Sequence, residues 1–528
     1  MNRKLMLKEL EDSENRPFDV VIIGGGATGL GIALDAITRG YSTLLIEQND
    51  FAKGTSGRST KLVHGGVRYL AKGDILLVME ALTERGRILK NASHIAHNQE
   101  FLIPLYSWWD AILYTVGLTF YDLLAGTKSL GRSRFIGTKK TIDRLPLLVS
   151  ENLKGAVVYH DGQFDDARFA LDLAKSAAEK GAILLNYCKL ISFIKGIDGK
   201  LKGLKVTNLD NHKDFTIQTS CIINATGVFA DSIMQLDSPL AAPTIRPSQG
   251  VHIVLDKSFI ESDSAIMIPK TSDGRVLFCI PWYDHVVVGT TDSPVDHLSL
   301  EPKALDEEIN FILATAGLYL KKIPARKDIL SVFAGLRPLA ADISKTGSTK
   351  EISRRHKIYT SPSGLISVVG GKWTTYRRMA DETLNKAIYL GLLPKRKCTT
   401  ENMPVWELQS KLSSENFAIY GKSAHEIEDL IINDSSLAER IHPAFPFCKA
   451  ELIWTIRNEM PLTLDDILSR RTRTLLLNAS ASIAMAPAVA AIMALELGYD
   501  LIWQKNQIND YLSIAENYLS SEIQVQKK

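Results

Sequence analysis

Apolar and polar positions along this chain switch between two periods, and the switches mark its elements. Residues 18–23 (FDVVII) form a short apolar run that ends in glycines. Positions 27–39 carry helical spacing, and Gly40 stands where a C-terminal cap glycine belongs. Residues 43–46 (TLLI) read as a second buried strand. Strand, turn, helix and strand in that order require a right-handed parallel crossover. The pattern predicts another helix over 164–180, stopped at Gly181, and a strand over 182–185. Alternating runs on either side of Asp198-Gly199 predict a hairpin.

From 251 to 291 the texture changes. The runs VHIVL, AIMIP, RVLFCI and VVVGTT are punctuated by Ser272-Asp273-Gly274 and Tyr283-Asp284. That pattern predicts an antiparallel sheet with no intervening helices. Residues 364–369 return to buried strand, and Gly370-Gly371 open a helix over 372–386. The segment GLLPKRKCTTENMP reads as a linker to a helical C-terminal unit. Neither an internal repeat nor a low-complexity tract interrupts the chain.

Composition narrows the class. A length of 528 residues implies about three units. With 45% apolar and 23% charged residues, the balance is that of a soluble protein. It excludes a disordered chain, a collagen-like repeat and a polytopic membrane protein. A net charge of +3 gives no cue for nucleic acid, and none is expected as a partner. Five scattered cysteines make no CxxC pair, which fits a reducing compartment. The charged N-terminus lacks the apolar core of a secretion signal. Residues 111–124 are apolar but broken by Asp122, and shorter than the ~20 residues a spanning helix needs. The charge-free stretch between Arg473 and Glu496 is alanine-rich and carries Asn478, Ser480, Ser482 and Pro487. It is expected as a buried helix pair, with Pro487 opening the second helix.

The chemistry begins at Gly24-Gly25-Gly26-Ala27-Thr28-Gly29, a GxGxxG between an expected strand and an expected helix. Gly24 permits the tight turn, Gly26 lets a pyrophosphate approach the backbone, and Gly29 lets the helix pack close. Phosphates then sit on amide groups at a helix N-terminus. Glu47 ends the second strand, where a carboxylate can accept from ribose hydroxyls. No second GxGxxG and no CxxC accompany this site. The strand-to-turn run Ile222-Ile223-Asn224-Ala225-Thr226-Gly227 would let a long cofactor pass beside it, which favours FAD over NAD. Gly370-Gly371-Lys372-Trp373 lacks the remaining residues of a phosphate loop. His425-Glu426 lacks the second histidine of a zinc helix, and no metal site is expected. A lysine at a helix start opposes the dipole, so Lys372 hints at a nearby anion.

Several stretches together carry a family resemblance. They are DVVIIGGGATGLGIALDAITRG, GTSGRSTKLVHGGVRYL, INATGVFAD, VVVGTTD, FAGLRPL, VVGGKWTTYRRMADE and RNEMPLTLDDILSRRTR. With them the chain resembles the FAD-dependent glycerol-3-phosphate dehydrogenases of the D-amino-acid oxidase superfamily. No DxDxDG-type loop appears, so it looks like a bacterial-type member. The fold implied is mixed α/β: a Rossmann-like FAD domain, an interwoven antiparallel substrate domain and a helical C-terminal cap. The segments would be 17–100, 156–240 and 336–392 for the FAD domain, 101–155 and 241–335 for the substrate domain, and 400–520 for the cap. The activity implied is oxidation of glycerol 3-phosphate to dihydroxyacetone phosphate, with electrons passed to a membrane quinone. Peripheral attachment to the inner face of the cytoplasmic membrane follows from the family, which also allows a homodimer. The aromatic segment PLYSWWDAILYTVGLTFYDLLAG reads either as an interfacial surface or as a buried helix.

The resemblance also implies roles. A phosphate monoester needs several cations, preferably arginine forks. Arg68, His252, Arg337, Arg354 and Lys372 form the candidate set. Arg337 would bind substrate near the reacting hydroxyl. Lys372 would touch substrate or flavin. Arg354 would bind phosphate, with Arg355 able to exchange roles with it. His252 would be the general base, and Tyr69 would stand beside substrate. Ser56, Ser59, Thr60, Ala225, Thr226, Gly227 and Gly371 would line the flavin. Arg58 stands where the family often has a small residue. His64 is where some relatives of the superfamily carry a covalent flavin; non-covalent FAD is expected here. Rival readings are an oxygen-reducing oxidase of the same substrate, an amino-acid or 2-hydroxy-acid oxidase, and a non-catalytic flavin-binding module.

Overall fold

The computed structural model describes residues 1–13, 16–70, 73–272, 274–340, 355–407 and 415–520. A six-stranded sheet holds the first half of the expected design. Val20–Ile23 lies at its centre, paired in parallel with Thr43–Ile46 on one side and Ile222–Asn224 on the other. Ile183–Leu185 and Ile366–Val369 extend it in parallel, and Lys357–Thr360 closes one edge antiparallel. Every residue of VVII and TLLI is buried, as expected of parallel strands covered on both faces. Its cover is made by helices Ala27–Thr38, Asp166–Glu179 and Tyr376–Tyr389, the first packed against the other two, and by a three-stranded meander whose Leu204, Val206 and Phe215 share its core. Asp165 caps the second of these helices by accepting from the Arg168 amide.

A larger sheet runs beside it. Ile245–Asp256 is its longest strand, paired antiparallel with Ser331–Ala340 and with His285–Gly289. Leu277–Trp282 and Ala265–Ile268 follow, and Ala96–Leu105 and Gly155–Phe164 continue the sheet. The expected antiparallel character holds except at one junction, where Ala265–Ile268 pairs in parallel with Ala96–Leu105. That departure needed a strand from far upstream, which the local pattern could not reveal. Val251, Ile253 and Leu255 face a core shared with helix Asp306–Gly317. Val254 faces the other way, into a core shared with C-terminal residues such as Leu468, Leu475 and Met485. His252 lies on this second face by the strand's period of two. The three-stranded meander carries the Asp198-Gly199 turn, with Gly199 at φ +71.

One expectation changes, and one open alternative is decided. Pro487 does not open a helix; it lies inside one continuous helix, Ala479–Leu497. An internal proline costs ~3 kcal/mol, and here the alanine-rich turns around it and the burial of Met485, Ala486, Val489 and Ala490 offset that loss. This is the one helix among the described residues long and apolar enough to cross a membrane by length and composition, and 39% of its most apolar window is buried. The alternative concerns 111–124, read as an interfacial surface or a buried helix, which belongs to a longer helix, Trp108–Ala125. Its inner face buries Ala111, Leu118 and Tyr121, while Trp109, Val116 and Leu123 stand 73%, 65% and 72% exposed. It is therefore not a buried helix. The polar N-terminus also folds, as helix Arg3–Asp12, with Met6 and Leu10 in the core of the first sheet.

Candidate active site

Two cavities meet between the sheets. The first, about 300 Å³, runs along residues 24–28, 47–56 and 225–233 to Gly370-Gly371-Lys372-Trp373. The second, about 270 Å³, begins at the same four residues. It ends on the floor of the large sheet at Gly250, His252, Thr290 and Arg337.

The first cavity has the shape the glycine motif requires. Gly24 sits at φ +110, and a Cβ there would lie 2.7 Å from the Ala225 carbonyl oxygen. A Cβ on Gly29 would lie 1.8 Å from the Gly24 carbonyl oxygen, so the helix could not close onto the turn. Gly26 is different: its φ is −85, and a Cβ would meet nothing within 4 Å except Ser56 Oγ at 3.1 Å. Its missing side chain leaves open cavity rather than backbone contact. Helix Ala27–Thr38 starts there with no side-chain cap from Gly26, and the Ala27 amide donates to Ser56 Oγ at 2.9 Å. Glu47 accepts from the Gly25 and Asn49 amides at 2.7 and 2.8 Å. Burial pushes its carboxyl pKa up from the ordinary value, against those two amide bonds. A carboxylate has about four lone-pair sites, so capacity is left for ribose hydroxyls. Ala225, Thr226 and Gly227 line the opposite wall. An extended dinucleotide fits this cradle, and Gly24, Gly26, Glu47, Ser56, Ala225, Thr226, Gly227, Gly371 and Lys372 are the residues that would hold it.

Sequence reasoning missed the glycines that make room on the floor of the second cavity. Gly250 faces Arg337: a Cβ there would lie 2.2 Å from Nη2. Gly289 does the same for His252, with a Cβ falling 2.4 Å from Cδ2. A glycine inside a strand signals close approach of this kind, so GVH and VVVG carried the cue. The Arg337 guanidinium donates from Nη2 to Thr290 Oγ1 at 2.9 Å and to the Thr291 carbonyl at 3.0 Å. From Nη1 it donates to the Gln249 carbonyl at 3.2 Å and to Asp292 at 3.4 Å. Asp292, also unforeseen, supplies the countercharge.

His252 is 2% exposed. Its ring stacks on Phe333, centroids 4.9 Å apart at 15°. Nε2 shares a hydrogen bond of 3.0 Å with Thr60 Oγ1. Burial, and then the cations Arg337 and Lys61, hold its pKa well below the ordinary histidine value. Ser59 is fixed by its amide, which donates to Asp166 at 2.9 Å, and lines the same cavity. Arg58 turns to the protein interior, donating to the Leu300 carbonyl and to Glu301 at 2.6 Å. Glu301 also accepts from Tyr518 at 3.1 Å, so Arg58 ties the cavity wall to the C-terminal unit. His64 lines the second cavity.

Arg68 and Tyr69 lie on the short helix Val67–Leu70, next to cavity residue Val67, but their side chains are outside the described residues. Arg354 lies outside the described residues altogether. Arg355 lines neither cavity and donates to Asp74 at 2.8 Å on the surface.

Comparison with known proteins agrees with this geometry. Residues 19–377 match the family of FAD dependent oxidoreductases, and 364–504 match the C-terminal domain of alpha-glycerophosphate oxidase. A mitochondrial glycerol-3-phosphate dehydrogenase of Rattus norvegicus is 37% identical over 99% of this chain and 75% of its own length. One from Arabidopsis thaliana is 36% identical over 96% of this chain and 87% of its own. The crystal structure of a glycerol-3-phosphate dehydrogenase from Bacillus halodurans with FAD superimposes at TM-score 0.80, covering 98% of each chain at 29% identity. The chain thus belongs to the FAD-dependent oxidoreductases, within the branch of the glycerol-3-phosphate dehydrogenases.

Proposed function

We propose that this protein oxidises sn-glycerol 3-phosphate to dihydroxyacetone phosphate and passes the electrons to a membrane quinone. One observation carries the reading. The dinucleotide cavity and a second, cation-lined cavity share the wall Gly370–Trp373, and the second ends on His252 and Arg337. FAD, when bound, supplies the hydride acceptor. His252 takes the hydroxyl proton at Nε2, while Thr60 turns its hydroxyl to accept from the imidazolium. Arg337 directs its charge at the oxygen that becomes the carbonyl. Lys372, which lines both cavities, meets the phosphate dianion; Arg68, Tyr69 and Arg354, which the resemblance assigns to the substrate, have side chains outside the described residues. Anaerobic addition of glycerol 3-phosphate should bleach the flavin absorbance, whereas glycerol and lactate should not. Bleaching by lactate or an amino acid would favour a carboxylate-directed oxidase and sink this reading.

Burial sets the pH dependence. A base held neutral well below the ordinary histidine range is competent throughout neutral pH. The acid limb of kcat/KM should therefore fall below pH ~6.5, the unperturbed histidine value. Stability follows the same sign. The unfolded histidine binds a proton near 6.5 and the folded one does not, so this residue costs stability as pH drops from 6.5 toward its folded pKa. A His252→Gln variant should lose that acid dependence in denaturant titrations. An acid limb above 7 would contradict the assignment.

Membrane attachment is proposed at helix Trp108–Ala125. Trp108, Trp109, Ile112, Leu113, Val116 and Leu123 project from one side, and Leu76 and Met79 of the adjoining helix Ile75–Asn91 are also exposed. Lys128, Arg132, Arg134, Lys139 and Lys140 follow the helix and are exposed. An apolar helix face next to a basic segment suits the inner face of the cytoplasmic membrane, with its anionic lipids. An alkaline carbonate wash should release the protein from vesicles, and the Ile112→Glu/Val116→Glu double variant should fail to sediment with them. Retention after the wash would point instead to Ala479–Leu497 as an inserted span.

A further inference from the structure

The stretch RNEMPLTLDDILSRRTR lies in neither cavity lining, yet from Leu464 to Arg473 every residue is buried. Two of its arginines, Arg470 and Arg471, reach the loop that follows the second strand of the six-stranded sheet. Asp50, 1% exposed, accepts from Arg470 Nε and from both terminal nitrogens of Arg471, one of them at 2.9 Å. Asn186 adds a contact at 3.4 Å. Arg470 is held in turn by Asp465 at 3.0 Å and Asp466 at 2.6 Å. Asp465 also binds Lys53 Nζ at 3.0 Å, and Lys53 is a wall residue of the dinucleotide cavity.

The loop is bonded directly to the phosphate turn. The Ala52 amide donates to the Gly25 carbonyl at 3.0 Å, and the Gly25 amide donates to Glu47 at 2.7 Å. Phe51 packs where a Cβ on Gly25 would fall, 2.8 Å away. Two bonded steps therefore separate Arg471 from the glycine turn: guanidinium to Asp50, then Ala52 to Gly25. Burial alone would raise the Asp50 carboxyl pKa, but Arg471 and Arg470 outweigh it and hold the group ionised.

We propose that Arg470 and Arg471 are positioning residues of the dinucleotide site, acting through Asp50 to set the phosphate turn from the C-terminal unit. The helical cap is then part of the cofactor site, although no cap residue from this stretch lines it. The buried Glu459 cluster supplies the control. Glu459 pairs with Arg168, and with Lys175 at 3.3 Å, across the same boundary between units, and none of the three lines either cavity. Arg471 touches this cluster only through backbone carbonyls: its Nη2 donates to the Glu459 carbonyl at 2.7 Å, and Arg168 Nη2 donates to the Arg471 carbonyl at 3.2 Å. Glu459→Gln keeps both of those carbonyls, so it strands buried cations while the Arg471 bonds to Asp50 stay in place.

The test compares flavin release from Asp50→Asn and Glu459→Gln holoenzymes. Release is followed by the rise in free flavin fluorescence after dilution, about 10 °C below each variant's own melting temperature. No substrate is present, so the outcome does not depend on the reaction proposed above. Asp50→Asn should release flavin about tenfold to a hundredfold faster than the parent, the range expected for loss of one charge-assisted hydrogen bond. Glu459→Gln should release within about twofold. Arg471→Lys, which keeps the charge and loses the fork, should fall between, and it decides the matter if Asp50→Asn does not fold. Equal acceleration in the Asp50 and Glu459 variants, or parent-like release from Arg471→Lys, would overturn the proposal.

Discussion

Gly26→Val is expected to purify without flavin and with activity at background, while its far-ultraviolet dichroism stays that of the parent. The backbone permits the change, since φ −85 and ψ −177 are ordinary extended values for any residue. Only one atom, Ser56 Oγ, lies within 4 Å of the new Cβ. The two γ-methyls therefore project into the space between the turn and Ser56, where a pyrophosphate would otherwise meet the backbone. The comparison variants separate loss of cofactor from loss of fold. Gly29→Ala drives a Cβ to 1.8 Å from the Gly24 carbonyl oxygen, and Gly24→Ala forces φ +110 on a residue with a side chain. Both should melt earlier even without cofactor. Gly26→Val should match the cofactor-free parent in melting temperature and lose only the ligand's contribution. That contribution is about 4 kcal/mol when free FAD is a thousandfold above its dissociation constant. A yellow Gly26→Val protein with stoichiometric flavin would remove the dinucleotide from this cavity.

The elements with strong periodicity were legible because local pattern and final burial agree. VVII, TLLI and the helix between them formed as expected, because VVII runs into Gly24, the helix stops before Gly40, and both strands are fully buried. The glycine turn, Glu47 and Ser56 lie within about 32 positions of one another, whereas the opposite wall at Ala225–Gly227 comes from far along the chain. The floor of the second cavity was harder to read. His252 and Arg337 stand on adjacent strands, with Ser248 opposite Arg337 and Phe333 opposite His252 in register. A one-residue slip would have turned His252 to the other face. Nothing local fixes that register across some 85 positions; the resemblance identified the two residues, and the glycines opposite them show why they fit. Helix Trp108–Ala125 stayed open between an interfacial surface and a buried helix for another reason. Its outward apolar face violates the rule that exposed faces are polar, so pattern alone could not distinguish a core helix from an interfacial one. Pro487 was misplaced because local rules put proline in the first turn of a helix, whereas core packing retains it in the third.

Arg337→Ala is expected to lower kcat/KM for glycerol 3-phosphate by roughly thirtyfold to several thousandfold, with a drop in kcat and flavin content unchanged. Losing a preorganised donor aimed at a developing oxygen costs about 2.7–4 kcal/mol, and each 1.36 kcal/mol is about tenfold in rate, so the loss falls within that range. The guanidinium is half-embedded in its own acceptors: Thr290, the Thr291 and Gln249 carbonyls, and Asp292. Those contacts fix its plane before substrate arrives, which is what a group aimed at a developing carbonyl oxygen requires. They also raise the rival explanation that Arg337 only neutralises Asp292. The two separate in the variants. Asp292 is held by Ser248 as well, so Arg337→Ala combined with Asp292→Asn should recover the stability lost in Arg337→Ala. If the arginine acts on substrate, kcat should stay low in that double variant. Exogenous guanidinium should restore part of it in Arg337→Ala, because the Gly250 side of the slot leaves the space open. Arg337→Lys keeps the charge but cannot span Thr290 and Asp292 together, and should fall between. Recovery of both stability and kcat in the double variant would reduce Arg337 to a structural partner and leave the hydroxyl to Lys372 and His252 alone.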